Sequence, residues 1–300
     1  MTRTILITGA TGNQGGAIIK ALQGTDYEIL AVSRNTSSPS AQKLATSTPN
    51  IKLIQGDLDN CSALFETARK ATKNPIWGVY SVQAKPTSDI SIEETQGKSL
   101  IDAAIDNQVE FFVYSSVDRG GEKSKDTPTT VPHWATKHRV EKYLEQKAPA
   151  AGMRFTVLRP TCFMENLTND FAGKAMAGSW SAVLKDRPLQ LVATKDIGWF
   201  GAEAFKRPDD FAGRYLSLAG AELTFSEANT IFKKKFGKDL PATYGCVAKG
   251  LLLVVKDLGA MFQYLKHNPV GADVEELRKL HPGLMNLGTW FEKESQFRQT

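Results

Sequence analysis

The feature that most constrains this chain is the run Thr8-Gly9-Ala10-Thr11-Gly12-Asn13-Gln14-Gly15-Gly16. It follows a β-rich apolar stretch, Thr4–Thr8, and leads into a helix-period stretch, Gly15–Gln23. At this GxxGxxG spacing the first glycine allows a tight turn and the second brings backbone close to a pyrophosphate. The third lets the helix pack against the strand. Free amides at the helix start then face the phosphates. Any tight strand-to-helix turn favours glycine, so the motif gains its weight from standing in the first βα turn of a complete βαβ unit.

That unit repeats. Strands are expected at Thr4–Thr8, Glu28–Ser33, Ile51–Gln55, Ile76–Val82, Phe111–Ser115 and Arg154–Leu158, and helices at Gly15–Gln23, Cys61–Ala71, Ile92–Asn107 and Trp134–Gln146. The alternation predicts an α/β fold, a doubly wound parallel sheet of Rossmann type. Residues 1–160 read as this domain, and 161–300 as a smaller α/β lobe interleaved with it. Two irregular stretches, Asn35–Asn50 and Val117–Pro132, leave the carboxyl edge of the sheet, where such folds bind ligands. They are expected to be loops that order over a bound ligand. Later, Leu251, Val254, Val255, Leu258, Met261, Phe262 and Leu265 read as one helical face, followed by a helix near Ala272–Leu280.

Cofactor choice is written at the end of the second strand, in Ala31-Val32-Ser33-Arg34-Asn35. A site for NAD places an acid there for the ribose 2′-hydroxyl, and an arginine suits a 2′-phosphate. Arg34, with its planar fork, therefore predicts NADP(H), although a surface arginine on a polar loop would read the same way. Asp57-Leu58 ends the third strand, where Asp57 either faces the adenine or caps the next helix. Ser81-Val82-Gln83 ends the fourth, beside the ribose.

With these residues in hand, the sequence resembles the NmrA-like family of atypical short-chain dehydrogenases/reductases over nearly its whole length. The marks are the glycine turn, Arg34-Asn35, Gln55-Gly56-Asp57, Gln96-Gly97-Lys98 and Phe112-Val113-Tyr114-Ser115-Ser116. Later come His133 with Lys137, Arg159-Pro160 with Phe163-Met164-Glu165-Asn166, and Asp196-Ile197-Gly198. The resemblance implies NADP(H) held by Gly9 to Gly15, Arg34, Asn35, Asp57, Leu58 and Ser81 to Gln83. It also implies that Lys137 and Phe163 to Asn166 approach the nicotinamide. Family members include redox-sensing transcriptional co-regulators and also some reductases.

A working short-chain reductase carries Tyr-x-x-x-Lys on a helix, with tyrosine as the acid. Here the pattern is His133-Trp134-Ala135-Thr136-Lys137, with both side chains on one helical face. An imidazole suits proton transfer near neutral pH. Equally, His133 caps or packs the helix start, and Lys137 pairs with Glu141 at i, i+4. Tyr114 and Tyr143 read as core, and Ser115-Ser116 either orient a carbonyl or close a turn. Cys162 reads as a small apolar residue rather than a redox group. Trp180, Trp199 and Phe200 either line a cleft or pack. Two function classes follow: an NADP(H)-binding, redox-responsive regulator of a protein partner with weak or no reductase activity, or an NADPH-dependent reductase of a small carbonyl or enone.

The remaining features narrow the setting. Three scattered cysteines, Cys61, Cys162 and Cys246, form neither a disulfide framework nor a metal pair. No secretory leader and no membrane span is expected, because Lys256 and Asp257 cut the apolar run Leu251–Val255. A cytoplasmic setting, with nuclear access, and a monomer or homodimer follow as expectations. The net charge of +5 is mild. The one basic cluster, Lys233-Lys234-Lys235, reads as a solvated helix end capped by Gly237, so no direct nucleic-acid binding is expected.

Overall fold

The computed structural model describes residues 2–48, 50–84, 89–127, 129–268 and 271–299. The chain runs β1 (Thr4–Ile7), α1 (Asn13–Ala21), β2 (Glu28–Ser33), α2 (Pro39–Ser47), β3 (Ile51–Gln55), α3 (Cys61–Ala71) and β4 (Ile76–Ser81). It continues through α4 (Ser91–Asp106), β5 (Phe111–Ser115), α5 (Pro132–Lys147), β6 (Arg154–Pro160) and the two-residue β7 (Cys162–Phe163). Then follow α6 (Phe171–Ser179), β8 (Leu189–Val192), α7 (Thr194–Lys206), α8 (Pro208–Phe211), β9 (Tyr215–Leu218) and β10 (Ala221–Leu223). Four helices succeed α9 (Phe225–Phe236): α10 (Gly245–Val254), α11 (Lys256–His267), α12 (Val274–Leu280) and α13 (Leu287–Lys293).

The strands form a seven-stranded sheet in the order β3-β2-β1-β4-β5-β6-β9 and a three-stranded sheet in the order β10-β8-β7. In the larger sheet β1 to β6 pair in parallel, with Ile5 opposite Ile29 on one side and Gly78 on the other. The strand order reverses between β1 and β4, which makes the edge beyond those two strands the place for a ligand. β1 is wholly buried and apolar apart from Thr4, as a central parallel strand with both faces covered must be. The six expected strands of this sheet all form.

Two compact units result. The first collects 1–116, 136–158 and 197–216. One of its core clusters packs Leu6, Leu30, Ile54, Val79, Phe112 and Val157 of the sheet against Leu64, Phe65, Leu100 and Leu144 of α3, α4 and α5. Gly198 lets α7 lie directly against Ala17 of α1, where a Cβ would come within 2.6 Å of that residue. The second unit collects 117–135, 159–196 and 217–300. Its core is aromatic, with Trp180, Phe232, Trp290, Phe291 and Phe297 around Met164 and Leu191. Both Trp180 and Phe200 are wholly buried, so they pack.

Two expectations need correction. The stretch Asn35–Asn50 is not irregular throughout, because it contains α2, capped by Ser38 with Pro39 at the first position. Ser and Pro begin helices as readily as they make loops, so composition alone misreads them. The stretch after Val117 is irregular as expected but for the 3-10 turn Gly121–Lys125, and local hydrogen bonds tie it down. Asp118 accepts from the Gly120 and Gly121 amides at 3.1 and 2.8 Å, and the buried Arg119 donates to the carbonyls of Val117 and Ser124. Finally, the apolar face from Leu251 to Leu265 is split. The helix breaks at Val255 (φ −90°, ψ 79°), so Leu258, Met261, Phe262 and Leu265 pack inward while Leu253 and Val254 stay exposed. A break without glycine or proline leaves apolar periodicity intact and goes unseen.

Candidate functional site

The glycine turn forms as the spacing requires. Thr8 ties β1 to β4: its hydroxyl donates to the carbonyls of Tyr80 and Val82 and accepts from the Val82 amide at 2.9 Å. That seam presses Gly9 onto Val82, where a Cβ would meet Val82 Cγ1 at 2.7 Å, and Gly9 takes φ +59°. A side chain there would be strained twice over. The Gly12 amide closes the turn on Gly9 O at 2.9 Å. Gly15 is the closest approach within the turn, since a Cβ would sit 2.3 Å from Gly9 O. Helix α1 then starts at Asn13 with no side-chain cap, leaving its first-turn amides to solvent or a ligand. Thr11, Gly12 and Asn13 are exposed, and Ala10 is buried, so Ala10 offers only backbone. Gln14 turns inward instead, its Oε1 accepting from Tyr80 at 3.1 Å and Ser115 at 2.6 Å.

The strand ends beside the turn carry the other expected residues. Arg34 is exposed at the end of β2, with no carboxylate within ion-pair reach among the described residues. Asn35 shapes the turn after it, accepting from the Ser37 amide at 2.9 Å. Asp57 does cap a helix: its Oδ1 accepts from the Asp59 amide at 3.0 Å and starts the 3-10 turn Leu58–Asn60. Leu58 packs against the core. Ser81 and Gln83 are buried and joined by a 2.9 Å bond from the Gln83 amide nitrogen, whereas Gln83 Oε1 is buried without a hydrogen-bond partner. An acceptor left in that state marks a place where a donor is missing.

Lys137, on α5, faces a buried acid. Its ammonium lies 2.8 Å from Glu93 of α4, which is 2% exposed, and 3.4 Å from the Ser115 carbonyl. Thr136 donates to the other Glu93 oxygen at 2.8 Å. Glu141 instead accepts from Ser116, so the expected Lys137–Glu141 pair does not form. The reason is burial: Glu93 and Glu141 are both inside, and each takes the donor nearest to it. Tyr114 is fully buried as expected, and Tyr143 packs against the core while its hydroxyl bonds to Asp102.

Within the second unit, His133 pairs with Asp257 at the start of α11, Nδ1 to Oδ1 at 2.8 Å. The carboxylate fixes which ring nitrogen holds the proton, as an orienting acid does for a histidine that moves protons. Phe163 lies in β7 opposite Val192, and Met164 is wholly buried in the core. Glu165 gives one oxygen to Thr194 (amide 3.0 Å, hydroxyl 2.8 Å) and to the Trp290 indole at 3.2 Å, while its other oxygen is buried and unpartnered. Asn166 is exposed and donates to Cys162. Burial and the neighbouring Glu165 push the Cys162 thiol up to about 11, so it stays protonated. No group of three or more metal-ligating side chains occurs among the described residues, and no described helix is long and apolar enough to cross a membrane.

Glu93 and Asp257 are the site residues that sequence reasoning missed. Glu93 lies 43 positions from Thr136, and Asp257 lies 124 from His133. The only local signal is a glutamate in the first turn of an otherwise apolar helix face, one that α4 buries.

Comparison with known proteins places the chain. The NmrA-like family model matches residues 1–287. The nitrogen metabolite repression protein of Neurospora crassa is 28% identical over 79% of this chain; the chain spans 53% of that relative's length. NmrA, described as a negative transcriptional regulator, is solved with NAD and with NADP. The two structures superimpose with TM-scores of 0.75 and 0.71, at 19% identity over 98% of this chain and 95% of theirs. An NADPH-dependent quinone oxidoreductase from Escherichia coli, solved with NADPH, gives a TM-score of 0.71 at 21% identity over 95% of this chain and 97% of its own. The chain belongs to the NmrA-like family.

Proposed function

We propose that the first unit binds NADP(H), and that the protein is a redox-responsive regulator with weak or no reductase activity. The observation that carries the reading is the turn itself. Gly9 and Gly15 let the turn close tightly on Val82 and on itself where a Cβ would collide, α1 presents uncapped amides, and Arg34 stands uncommitted beside it. Those residues fit a pyrophosphate and a 2′-phosphate, and the orphaned Gln83 Oε1 suits a ribose hydroxyl. NmrA is solved with either cofactor, so the choice of NADP(H) rests on Arg34. A regulator needs the cofactor held and read, not turned over. The place of the acid holds His133 rather than tyrosine, and Lys137 is already neutralised by Glu93.

One observation favours a second reading. His133 is oriented by Asp257, as a proton donor would be, and a quinone oxidoreductase shares the fold. In that reading bound NADPH supplies a hydride to a small carbonyl or enone. His133 holds the proton to be delivered, and Lys137 orients the ribose.

Calorimetric titration of NADP+ and NAD+ on wild type and Arg34→Ala tests the cofactor. The substitution should weaken NADP+ alone, by about 1.5–3 kcal/mol for a lost charge-assisted bond. Equal affinities in the wild type would sink the role of Arg34. Nicotinamide absorbance with aldehydes, quinones and enones separates the two functions. Brisk NADPH consumption removes the regulator, and consumption that survives His133→Ala removes that histidine as the acid.

A further inference from the structure

Glu93 sits where a carboxylate is costly to bury. It lies in the first turn of α4, its side chain is 2% exposed, and both of its oxygens are engaged by α5. Oε1 lies 2.8 Å from the Lys137 ammonium, and Oε2 accepts from the Thr136 hydroxyl at 2.8 Å. Apolar side chains of similar volume would hold the two helices together without desolvating two charges. The lysine is the more exposed partner, at 14%, so a ligand that reaches the pair meets the ammonium first.

The place of the pair along the sheet gives it a role. The strands run β3-β2-β1-β4-β5, and the glycine turn follows β1 at the centre of that row. A dinucleotide with its pyrophosphate on the turn and its 2′-phosphate at Arg34, past β2, extends its other half to the β4–β5 side. Lys137 stands on that side. Its ammonium lies 3.4 Å from the carbonyl of Ser115, the last residue of β5, and the Ser115 hydroxyl donates to Gln14 of α1 at 2.6 Å. The half that lies there carries the nicotinamide, a cation in NADP+ and neutral in NADPH. An uncompensated ammonium beside it would therefore repel the oxidised form alone. The nearby acids have other partners: Glu94 pairs with Lys98 at 2.6 Å and with Arg139, and Glu141 accepts from Ser116.

We propose that Glu93 determines which redox state of the cofactor the protein prefers, because it cancels the charge of Lys137 and so keeps the oxidised nicotinamide in the site. It acts through the lysine and not by contact with the cofactor. In a site shielded from bulk water one uncompensated unit charge is felt over several ångströms, so the balance of this single pair shifts the choice between a cation and a neutral ring. The inference deepens the cofactor reading above and rests on it.

Calorimetric titration of the full chain with NADP+ and with NADPH at neutral pH gives the ratio of the two dissociation constants. Glu93→Gln keeps the shape and leaves the ammonium uncompensated, so NADP+ should weaken about tenfold relative to NADPH. Glu93→Gln/Lys137→Met carries neither charge and should return the ratio to its wild-type value, although both affinities fall with the lost lysine. A pair that serves stability alone predicts otherwise: both cofactors weaken together and the ratio does not move. A ratio unmoved in Glu93→Gln, or moved in favour of NADP+, overturns the proposal. A double variant that keeps the shifted ratio overturns charge as its cause. Should Glu93→Gln fail to fold, Lys137→Met decides, because it leaves the carboxylate uncompensated and should move the ratio in favour of NADP+; an unmoved ratio there overturns the proposal. Wild type that binds neither cofactor overturns the cofactor reading and this inference together, whereas binding with a ratio indifferent to Glu93 overturns this inference alone.

Discussion

The two units present their functional groups in opposite ways. In the first, the anion cradle is almost all backbone: Gly9, Gly12 and Gly15 within seven positions, closed by short amide-to-carbonyl bonds. In the second, three side chains are fixed by distant partners: Glu165 by Thr194 and Trp290, Asp196 by His281 and the Met285 amide, His133 by Asp257. A backbone site depends on which residues lack a side chain, and that is specified locally. A side-chain site depends on which segments meet, and that is specified by the whole fold.

Lys137 is the exception closest to the expected site, a long-range side-chain pair inside the first unit. Its partner Glu93 is buried, and removing one member of a buried pair strands the other charge. Glu93→Ala should therefore cost about 3–5 kcal/mol of unfolding free energy in urea, the largest effect expected here. Lys137→Met/Glu93→Leu, which removes both charges, should recover most of that loss. A double variant as unstable as Glu93→Ala would mean that packing, not charge, holds α4 to α5.

Gly15→Ala comes next and tests the backbone half of the comparison. The new Cβ would fall 2.3 Å from Gly9 O, and backbone there has no side-chain rotamer to give way. Overpacking of this kind costs about 1–3 kcal/mol of stability. NADP(H) affinity should fall by roughly a hundredfold, about 3 kcal/mol, as the turn opens. Gly16→Ala, one position on, meets nothing closer than 3.4 Å and should leave both nearly unchanged. If the two substitutions behave alike in calorimetry, the cradle is not what the geometry says it is.

The same contrast explains what was legible in the sequence. β1 to β6, α1, α3, α4 and α5 follow from periods and glycines that a short window contains, and the turn's place followed with them. The place of Arg34 just past the end of β2 followed in the same way. α2 was missed because Ser38 and Pro39 serve caps and loops alike. Glu93 and Asp257 were missed because burial and pairing arise only once α4 meets α5 and α11 meets the start of α5. In the second unit the break at Val255 defeated the periodicity of a clean apolar run.

A smaller effect shows the first unit holding its outer strands by charge. Burial pushes the Glu28 carboxyl up, but Lys52 with the hydroxyls of Thr72 and Thr4 holds it at about 2 against an ordinary 4.5. A lowered folded value means the stabilisation is fully present above the unfolded value and is lost as pH falls towards 2. Glu28→Gln should cost roughly 2 kcal/mol near neutral pH, and the gap to wild type should close between pH 4.5 and 2. Denaturant melts across that window would measure it. A gap that stays constant with pH would mean that the amide loses shape complementarity rather than charge.

The smallest effect expected concerns His133 and Asp257, and it sharpens the comparison most. Their side chains are 19% and 20% exposed, so water screens the pair more than it screens Lys137 and Glu93. A double-mutant cycle with His133→Ala and Asp257→Asn should therefore return a coupling of only about 0.5–1 kcal/mol, smaller still at high salt. Such a pair contributes little to stability, and its geometry matters chiefly if it orients a proton. The discriminating readout is thus function beside stability. If Asp257→Asn leaves the fold intact but depresses residual NADPH consumption as far as His133→Ala does, the pair works as an oriented proton donor and the reductase reading gains. If both variants leave consumption unchanged and the coupling is as small as expected, His133 is a helix-start residue tied down by its neighbour. The second unit's side chains then serve packing, and the cofactor is read rather than used.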